Sequence, residues 1–219
     1  MTLALDRNPE TDGLVADRVP AILRHRRART WLALAVILAI GLVTGLGSAY
    51  LAVDRGPGLD GLDLGVWEAR PLQGTTEADP YSAATHARTG RVPLASGEGL
   101  IFLARTDTTG ATLSPACDYT LKGQAAPARL WTLTALDNGL RLADTSAERT
   151  GLHSRQVLRH PDGTFTVGIA ARARPGNWLP SARDADGLVL ALRLYDTPLT
   201  TGTGVANVPM PAITRGDCQ

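Results

Sequence analysis

Leu188-Val-Leu-Ala-Leu-Arg-Leu-Tyr195 is the most apolar run outside the N-terminal region, and only Arg193 interrupts it. Apolar residues at both parities of a strand imply cover on both faces, so this run reads as the central strand of a sheet. Working outward, Thr164 to Ala170 alternates, with Phe165, Val167 and Ile169 on the inward side. His160-Pro-Asp-Gly163 precedes it and joins it to Gln156–Arg159 as a hairpin. Arg129 to Leu136 places Trp131, Leu133 and Ala135 on one face and Leu130, Thr132, Thr134 and Leu136 on the other, before a turn at Asp137-Asn-Gly139. Leu100 to Thr106 and Cys117 to Lys122 read as two further strands, ended by Asp107-Thr-Thr-Gly110 and by Gly123. Short strands punctuated by Gly, Asp and Pro predict a mainly β domain. Its expected form is an antiparallel β-sandwich or jelly-roll-like fold with one or two short helices.

One of those helices is well marked. Asp79 is placed to cap it, Pro80 suits its first turn, Tyr81 to Arg88 is a helical run, and Thr89-Gly90 ends it. A helical turn is expected around Ala143 to Gly151. Residues 200–219 carry Pro209 and Pro211 and little apolar pattern, so they should fray unless held. The chain has two cysteines. A Cys117–Cys218 disulfide is the expected clasp, closing a loop of about 100 residues nominally worth about 4–5 kcal/mol.

The chain has 219 residues, 22 Lys+Arg against 21 Asp+Glu, and a net charge of +1. This balance excludes a strongly basic nucleic-acid binder, and no nucleic-acid partner is expected. Residues 31–53 (Trp31 to Val53) carry no charge and hold six Leu, two Ile and three Val. As a helix they span about 35 Å, enough for a hydrocarbon core of about 30 Å. Trp31 and Tyr50 sit near its two ends, where interfacial aromatics belong. Arg24, Arg26, Arg27 and Arg29 crowd the N-terminal flank, whereas Asp54 and Arg55 cancel on the other. The positive-inside rule then predicts a cytoplasmic N-terminus and an exported C-terminal domain. The length of the span favours an uncleaved anchor over a cleaved signal peptide. Gly41, Gly45 and Ala49 lie four apart and form a small-residue row on which another helix would pack closely. The expected organisation is a mostly disordered cytoplasmic tail over 1–30, a transmembrane helix over 31–53, a linker over 54–65 and a periplasmic β-rich domain over 66–219. Gly56, Gly58 and Gly61 spell G-x-G-x-x-G, but neither a strand before it nor a helix after it is expected, so it is not a dinucleotide signature.

Several segments together resemble a known family. They are Trp67-Glu-Ala-Arg-Pro71, Asp79-Pro-Tyr81, Arg91-Val-Pro-Leu94 with Glu98-Gly99, Cys117-Asp-Tyr119 and Arg129-Leu-Trp-Thr-Leu-Thr134. Arg172-Ala-Arg-Pro-Gly-Asn-Trp-Leu-Pro180, Leu192-Arg-Leu-Tyr-Asp-Thr-Pro198 and Pro209-Met-Pro-Ala-Ile213 complete the set. The chain resembles the domain-of-unknown-function family 1214 in its short, membrane-anchored proteobacterial form, over roughly residues 66–218. The resemblance implies a β-sandwich-like domain at the bacterial inner membrane. In longer relatives this domain follows a second one, from family 1254, which the short form lacks. It therefore implies a heteromeric complex with a second inner-membrane protein carrying that complementary domain. It brings no activity that can be placed on particular residues.

Signals for chemistry are sparse. There is no C-x-x-C and no H-E-x-x-H, and Asp184-Ala-Asp-Gly187 is too short for a calcium loop, so no metal and no cofactor is expected. Ser96 lacks the first glycine of a nucleophile elbow, and the adjacency of His153 and Ser154 says nothing of triad geometry, so no catalytic residue is assigned. The candidates for ligand binding are Arg129, Trp178, Arg193 and Tyr195. An arginine in an apolar strand must find an acceptor or reach water. One reading is a pocket in which Arg129 or Arg193 grips an anion between Trp178 and Tyr195. The other, which is preferred, is an internal Arg–Asp pair at a strand end, with Asp196 and Asp137 as candidate partners. The functional expectation is an interaction module, with a small-ligand-binding or hydrolytic domain as the alternative.

Overall fold

The structure, a computed structural model, describes residues 21–55, 61–90, 94, 97–145, 147, 149–201 and 208–218. The chain forms two compact units, residues 1–54 and 55–219. In the first, helix α1 runs Ala21–Arg55. Within it, Arg29–Val53 has a mean hydropathy of 2.3 and is long and apolar enough to cross a membrane. Its side chains from Trp31 to Tyr50 are exposed, which in water would be unfavourable for so many aliphatic groups. The helix begins ten residues ahead of the expected span. Ala21-Ile-Leu-Arg-His-Arg-Arg27 is rich in good helix formers, so residues 21–30 extend it rather than forming an irregular tail. Most of that expected tail, residues 1–20, lies outside the described residues.

The second unit contains, in chain order, β1 (Leu62–Leu64), β2 (Trp67–Ala69), α2 (Pro80–Thr89), β3 (Gly99–Ala104), β4 (Cys117–Gly123), β5 (Leu130–Leu136), β6 (Gly151–His153), β7 (Phe165–Ala170), β8 (Asn177–Pro180), β9 (Val189–Tyr195), a 3-10 turn (Pro198–Thr201) and β10 (Ala212–Cys218). The strands form a six-stranded sheet, ordered β1-β2-β3-β9-β5-β6, and a four-stranded sheet, ordered β10-β4-β7-β8. Every pairing is antiparallel except that of β7 with β8. The fold is thus mainly β, as expected, with one mixed sheet.

The two sheets share one core. Leu100 and Phe102 of β3, Trp131 and Leu133 of β5, and Leu190, Leu192 and Leu194 of β9 face Tyr119 and Leu121 of β4, Phe165, Val167 and Ile169 of β7, and Ile213 of β10. The Trp131 and Phe165 rings meet across the sheets, with centroids 4.9 Å apart. The period-2 alternation of β7, and of β5 from Leu130 to Leu133, selects one face for this core. β9 does lie at the centre, between β3 and β5. On its second face, among the described residues, Val189 and Ala191 pack with Leu136, Leu103 and Leu140. Arg193 and Tyr195 remain partly exposed.

Four departures from the sequence reading concern short or polar strands. The expected linker contains β1, because Leu62 and Leu64 alternate with Asp63 and pair with β2. Residues 177–180, given no strand by the sequence reading, form β8, paired in parallel with β7. The expected hairpin partner at Gln156–Arg159 makes only a single bridge, Arg159 with Phe165. Residues 143–151 hold no helix among the described positions; β6 begins there instead. The C-terminal tail is held as β10 by pairing with β4, and Cys117 and Cys218 are disulfide-bonded at the end of that ladder. Helix α2 is as read: the Asp79 carboxylate accepts from the amides of Tyr81 and Ser82, and Gly90 ends it at φ 60°.

Candidate functional site

The outer face of the six-stranded sheet carries the polar residues that packing does not explain. Strand pairing sets Ile101 beside Arg193, Arg193 beside Thr132, and Thr132 beside His153. These four side chains form one row across β3, β9, β5 and β6. Directly opposed residues stand about 5 Å apart, so neighbours in such a row touch. Arg193 Nη1 donates to the Thr134 hydroxyl at 3.3 Å. Tyr195 follows on the same face, opposite Gly99 on one side and Leu130 on the other. A Cβ at Gly99 would collide with the Leu194 carbonyl and press on Leu94, so glycine is required there.

The four sequence candidates do not gather in one place. Arg129 Nε pairs with the Asp196 carboxylate at 3.1 Å, with both side chains about 70 % exposed. Asp196 is itself a junction. It takes φ 54°, its amide donates to Glu98, and its carbonyl accepts from the Arg129 amide. Trp178 lies in the other sheet. Its indole N–H donates to the Ala170 carbonyl, and Arg149 lies over its ring at 5.5 Å while donating to its carbonyl. Only Arg193 and Tyr195 share a face. The second aspartate proposed as an arginine partner, Asp137, is taken by Arg141. The Arg–Asp pair at the strand end is Arg129 with Asp196, and it is exposed, not internal as expected.

Two shallow hollows lie among the described residues, away from the Arg193 row. One is lined by Lys122, His160, Pro161, Asp162 and Thr164, the other by Asp137, Arg141, Leu142, Asp144 and Asp184 with neighbouring alanines. None of the four candidates lines either. Three carboxylates are held below the usual range. For Asp107 the Thr109 hydroxyl is the largest cause, and backbone amides and Arg215 add to it against the opposing effect of burial. The Arg141 amide leads for Asp137, and the Thr164 hydroxyl leads for Asp162. Each is a turn-closing aspartate, which gives these shifts a structural cause. Among the described residues no group of three or more metal-ligating side chains gathers. His153 Nδ1 accepts from the Arg155 amide, while the Ser154 hydroxyl accepts from the Trp131 amide, so the two neighbours are engaged separately. Ser96 lies outside the described residues, as do most of the glycines at 56–61.

On α1, a Cβ at Gly41 or Gly45 would meet nothing, so that face is open. The nearby Thr44 and Ser48 hydroxyls bond back to the helix's own carbonyls, which removes their polar cost in an apolar medium.

Sequence reasoning assigned no role to Thr132 and His153. Alternation placed Thr132 on the outer face; only the register of β9 with β5 and β6 brings it between Arg193 and His153.

Residues 98–199 match the family described as Protein of unknown function (DUF1214), in agreement with the resemblance read from the sequence. No curated protein matches the chain. Among solved structures, the crystal structure of the VPA0106 protein from Vibrio parahaemolyticus is similar over 82 % of this chain, at 20 % identity and a TM-score of 0.56. That similarity covers 44 % of the Vibrio chain, so this chain spans less than half of its length. A crystal structure of an uncharacterised protein from Burkholderia cenocepacia is 21 % identical over 55 % of this chain and 30 % of its own, with a TM-score of 0.39. The Vibrio likeness shows a shared fold.

Proposed function

We propose, from the DUF1214 match over residues 98–199, that this chain is a single-pass inner-membrane protein whose β-sandwich is a periplasmic interaction module. Its partner on this reading is a membrane protein bearing a complementary domain. The carrying observation is the joining of a fully exposed apolar helix to a separately packed β-domain whose fold fills less than half of the Vibrio relative. The exposed apolar helix supports membrane anchoring, and assembly with a second protein is what the family resemblance implies.

Charge and redox chemistry support the topology. Arg24, Arg26, Arg27 and Arg29 precede the span, while Asp54 and Arg55 follow it. The Cys117–Cys218 disulfide suits an oxidising compartment. The open Gly41, Gly45 and Ala49 face of α1 supports close helix approach within the bilayer.

Purification of the tagged full-length chain from native membranes in mild detergent tests this reading. A stoichiometric membrane protein should accompany the wild-type chain and be depleted when Gly41→Leu and Gly45→Leu are combined. Recovery of the chain alone would reject the interaction reading. Undiminished recovery of the partner with both leucines would reject the helix contact.

A further inference from the structure

We propose that the Arg193 end of the six-stranded sheet's outer face docks a partner segment that presents a carboxylate flanked by apolar side chains. This rests on the interaction reading above and names the surface through which it acts.

The row Ile101–Arg193–Thr132–His153 holds two basic side chains and no acid. All four are partly exposed, so the row is neither core nor fully solvated surface. A guanidinium offers five N–H donors. Among the described residues Arg193 uses one, to the neutral Thr134 hydroxyl, and no carboxylate lies within ion-pair distance. Arg129, Arg141, Arg174 and Arg215 all have aspartate partners in the same domain. A half-buried guanidinium beside Ile101, Leu103 and Tyr195 has lost part of its hydration without gaining an ion pair. A carboxylate approaching over the sheet would supply two parallel, charge-assisted hydrogen bonds.

The surroundings suit a macromolecular segment. Neither of the two hollows described above includes this row, which lies on a sheet face and not in either of them. Gly99 gives Tyr195 no side-chain neighbour on β3, where Leu94 packs against the glycine, while Leu130 flanks it on β5. An arginine and a tyrosine bordered by aliphatic groups is the composition of an interface hot spot. A second copy of this chain fits poorly, because a two-fold contact centred here would set Arg193 against Arg193. On the opposite face of the domain, Asp118 is already paired with Arg174, the exposed Thr120 and Thr214 carry no charge, and the exposed Lys122 stands at the rim of a polar hollow rather than among aliphatic side chains.

The test uses the full-length chain in native membranes, with photo-reactive benzoylphenylalanine at Ile101, or at Thr120 on the other sheet, or at Leu46 in α1. From Ile101, cross-links to an Asp- or Glu-containing peptide of a second membrane protein are expected. Arg193→Glu should lower that yield at least about tenfold, and Arg193→Lys should keep most of it. Replacing the cross-linked acid by arginine should restore the yield with Arg193→Glu. Intact disulfide and unchanged melting in each variant exclude misfolding, and Arg193→Gln serves where the glutamate does not fold. Cross-links from Thr120 or Leu46 but not Ile101 would overturn this surface and leave the interaction reading standing. An Ile101 cross-link indifferent to Arg193→Glu, or one to this same chain, would overturn the proposal. Absence of cross-links from all three positions would overturn the surface and the interaction reading together.

Discussion

The indole N–H of Trp67 donates to the carbonyl of Pro211 at 2.8 Å, across 144 residues of chain and between the two sheets. Trp67 is 1 % exposed and lies in β2; Pro211 leads directly into β10. The bond ties the first strands of the domain to its last. Trp67→Phe keeps much of the ring packing but leaves the buried Pro211 carbonyl without this donor. An unsatisfied buried acceptor costs about 1–3 kcal/mol, and the lost ring volume adds to it. Urea unfolding of the detergent-purified chain should show a lower midpoint with an unchanged slope. An unaltered midpoint would mean that water replaces the indole.

The same end of the molecule is fastened covalently. Cys117 and Cys218 are opposed at the end of the β4–β10 ladder, past a register shift after Arg215. The bridge closes 101 residues. Cys117→Ser, Cys218→Ser and the double variant should each destabilise the domain by about 2–4 kcal/mol, with nearly equal effects because all remove one bond. Unfolding with and without reductant measures this directly. Alkylation of two free thiols in non-reduced wild-type protein would remove the premise.

Legibility in the sequence followed side-chain pattern, and what escaped it was set by pairing. Phe165, Val167 and Ile169 were readable because alternation alone separates a buried from a solvated face. Asp79, Pro80 and Gly90 marked α2 because each chemistry fits one end of a helix. β1, β6 and β8 have three or four residues, too few to show a period. β10 sends only Ile213 into the core; its ladder with β4, its disulfide and its Arg215–Asp107 pair hold it, and none of these is a local signal. The four candidate site residues illustrate the same limit. Arg193 and Tyr195 could be placed on one face by counting, but Trp178 lies in the other sheet, and strand order is not written in spacing.

Asp107 makes stability depend on acid. Its side chain is buried, and it accepts from the Thr109 amide and hydroxyl, the Ala111 amide and Arg215 Nε. Hydrogen bonding, led by the Thr109 hydroxyl, holds its pKa below the ordinary value of 3.8. The folded state therefore binds its proton more weakly than the unfolded state. That stabilisation is complete well above the ordinary value and is lost as pH falls through it toward the depressed one. Asp137 and Asp162 act in the same sense. Melting temperature should fall steeply below about pH 4, and Asp107→Asn should be less stable at neutral pH with a shallower acid slope. An Asp107→Asn variant with the wild-type slope would show that the turn does not carry the effect.

Arg129 and Asp196 form the ion pair at the strand end, yet both side chains are about 70 % exposed. Water screens such a pair, and holding two long side chains in register costs entropy, so its coupling energy should be about 0.2–1 kcal/mol. The backbone at Asp196 carries more of the junction. Its amide donates to the Glu98 carbonyl, and the Arg129 amide is shared between the Tyr195 carbonyl at 3.1 Å and the Asp196 carbonyl at 3.4 Å. Asp196 takes a positive φ that side chains other than glycine, asparagine and aspartate tolerate poorly. Arg129→Ala should therefore be almost silent in stability, Asp196→Gly nearly neutral because glycine adopts this φ freely, and Asp196→Val clearly destabilising. A double-mutant cycle on Arg129→Ala and Asp196→Ala, with Asp196→Val measured alongside, separates the two contributions. Coupling well above about 1 kcal/mol, together with a mild Asp196→Val, would assign the junction to charge rather than to backbone conformation.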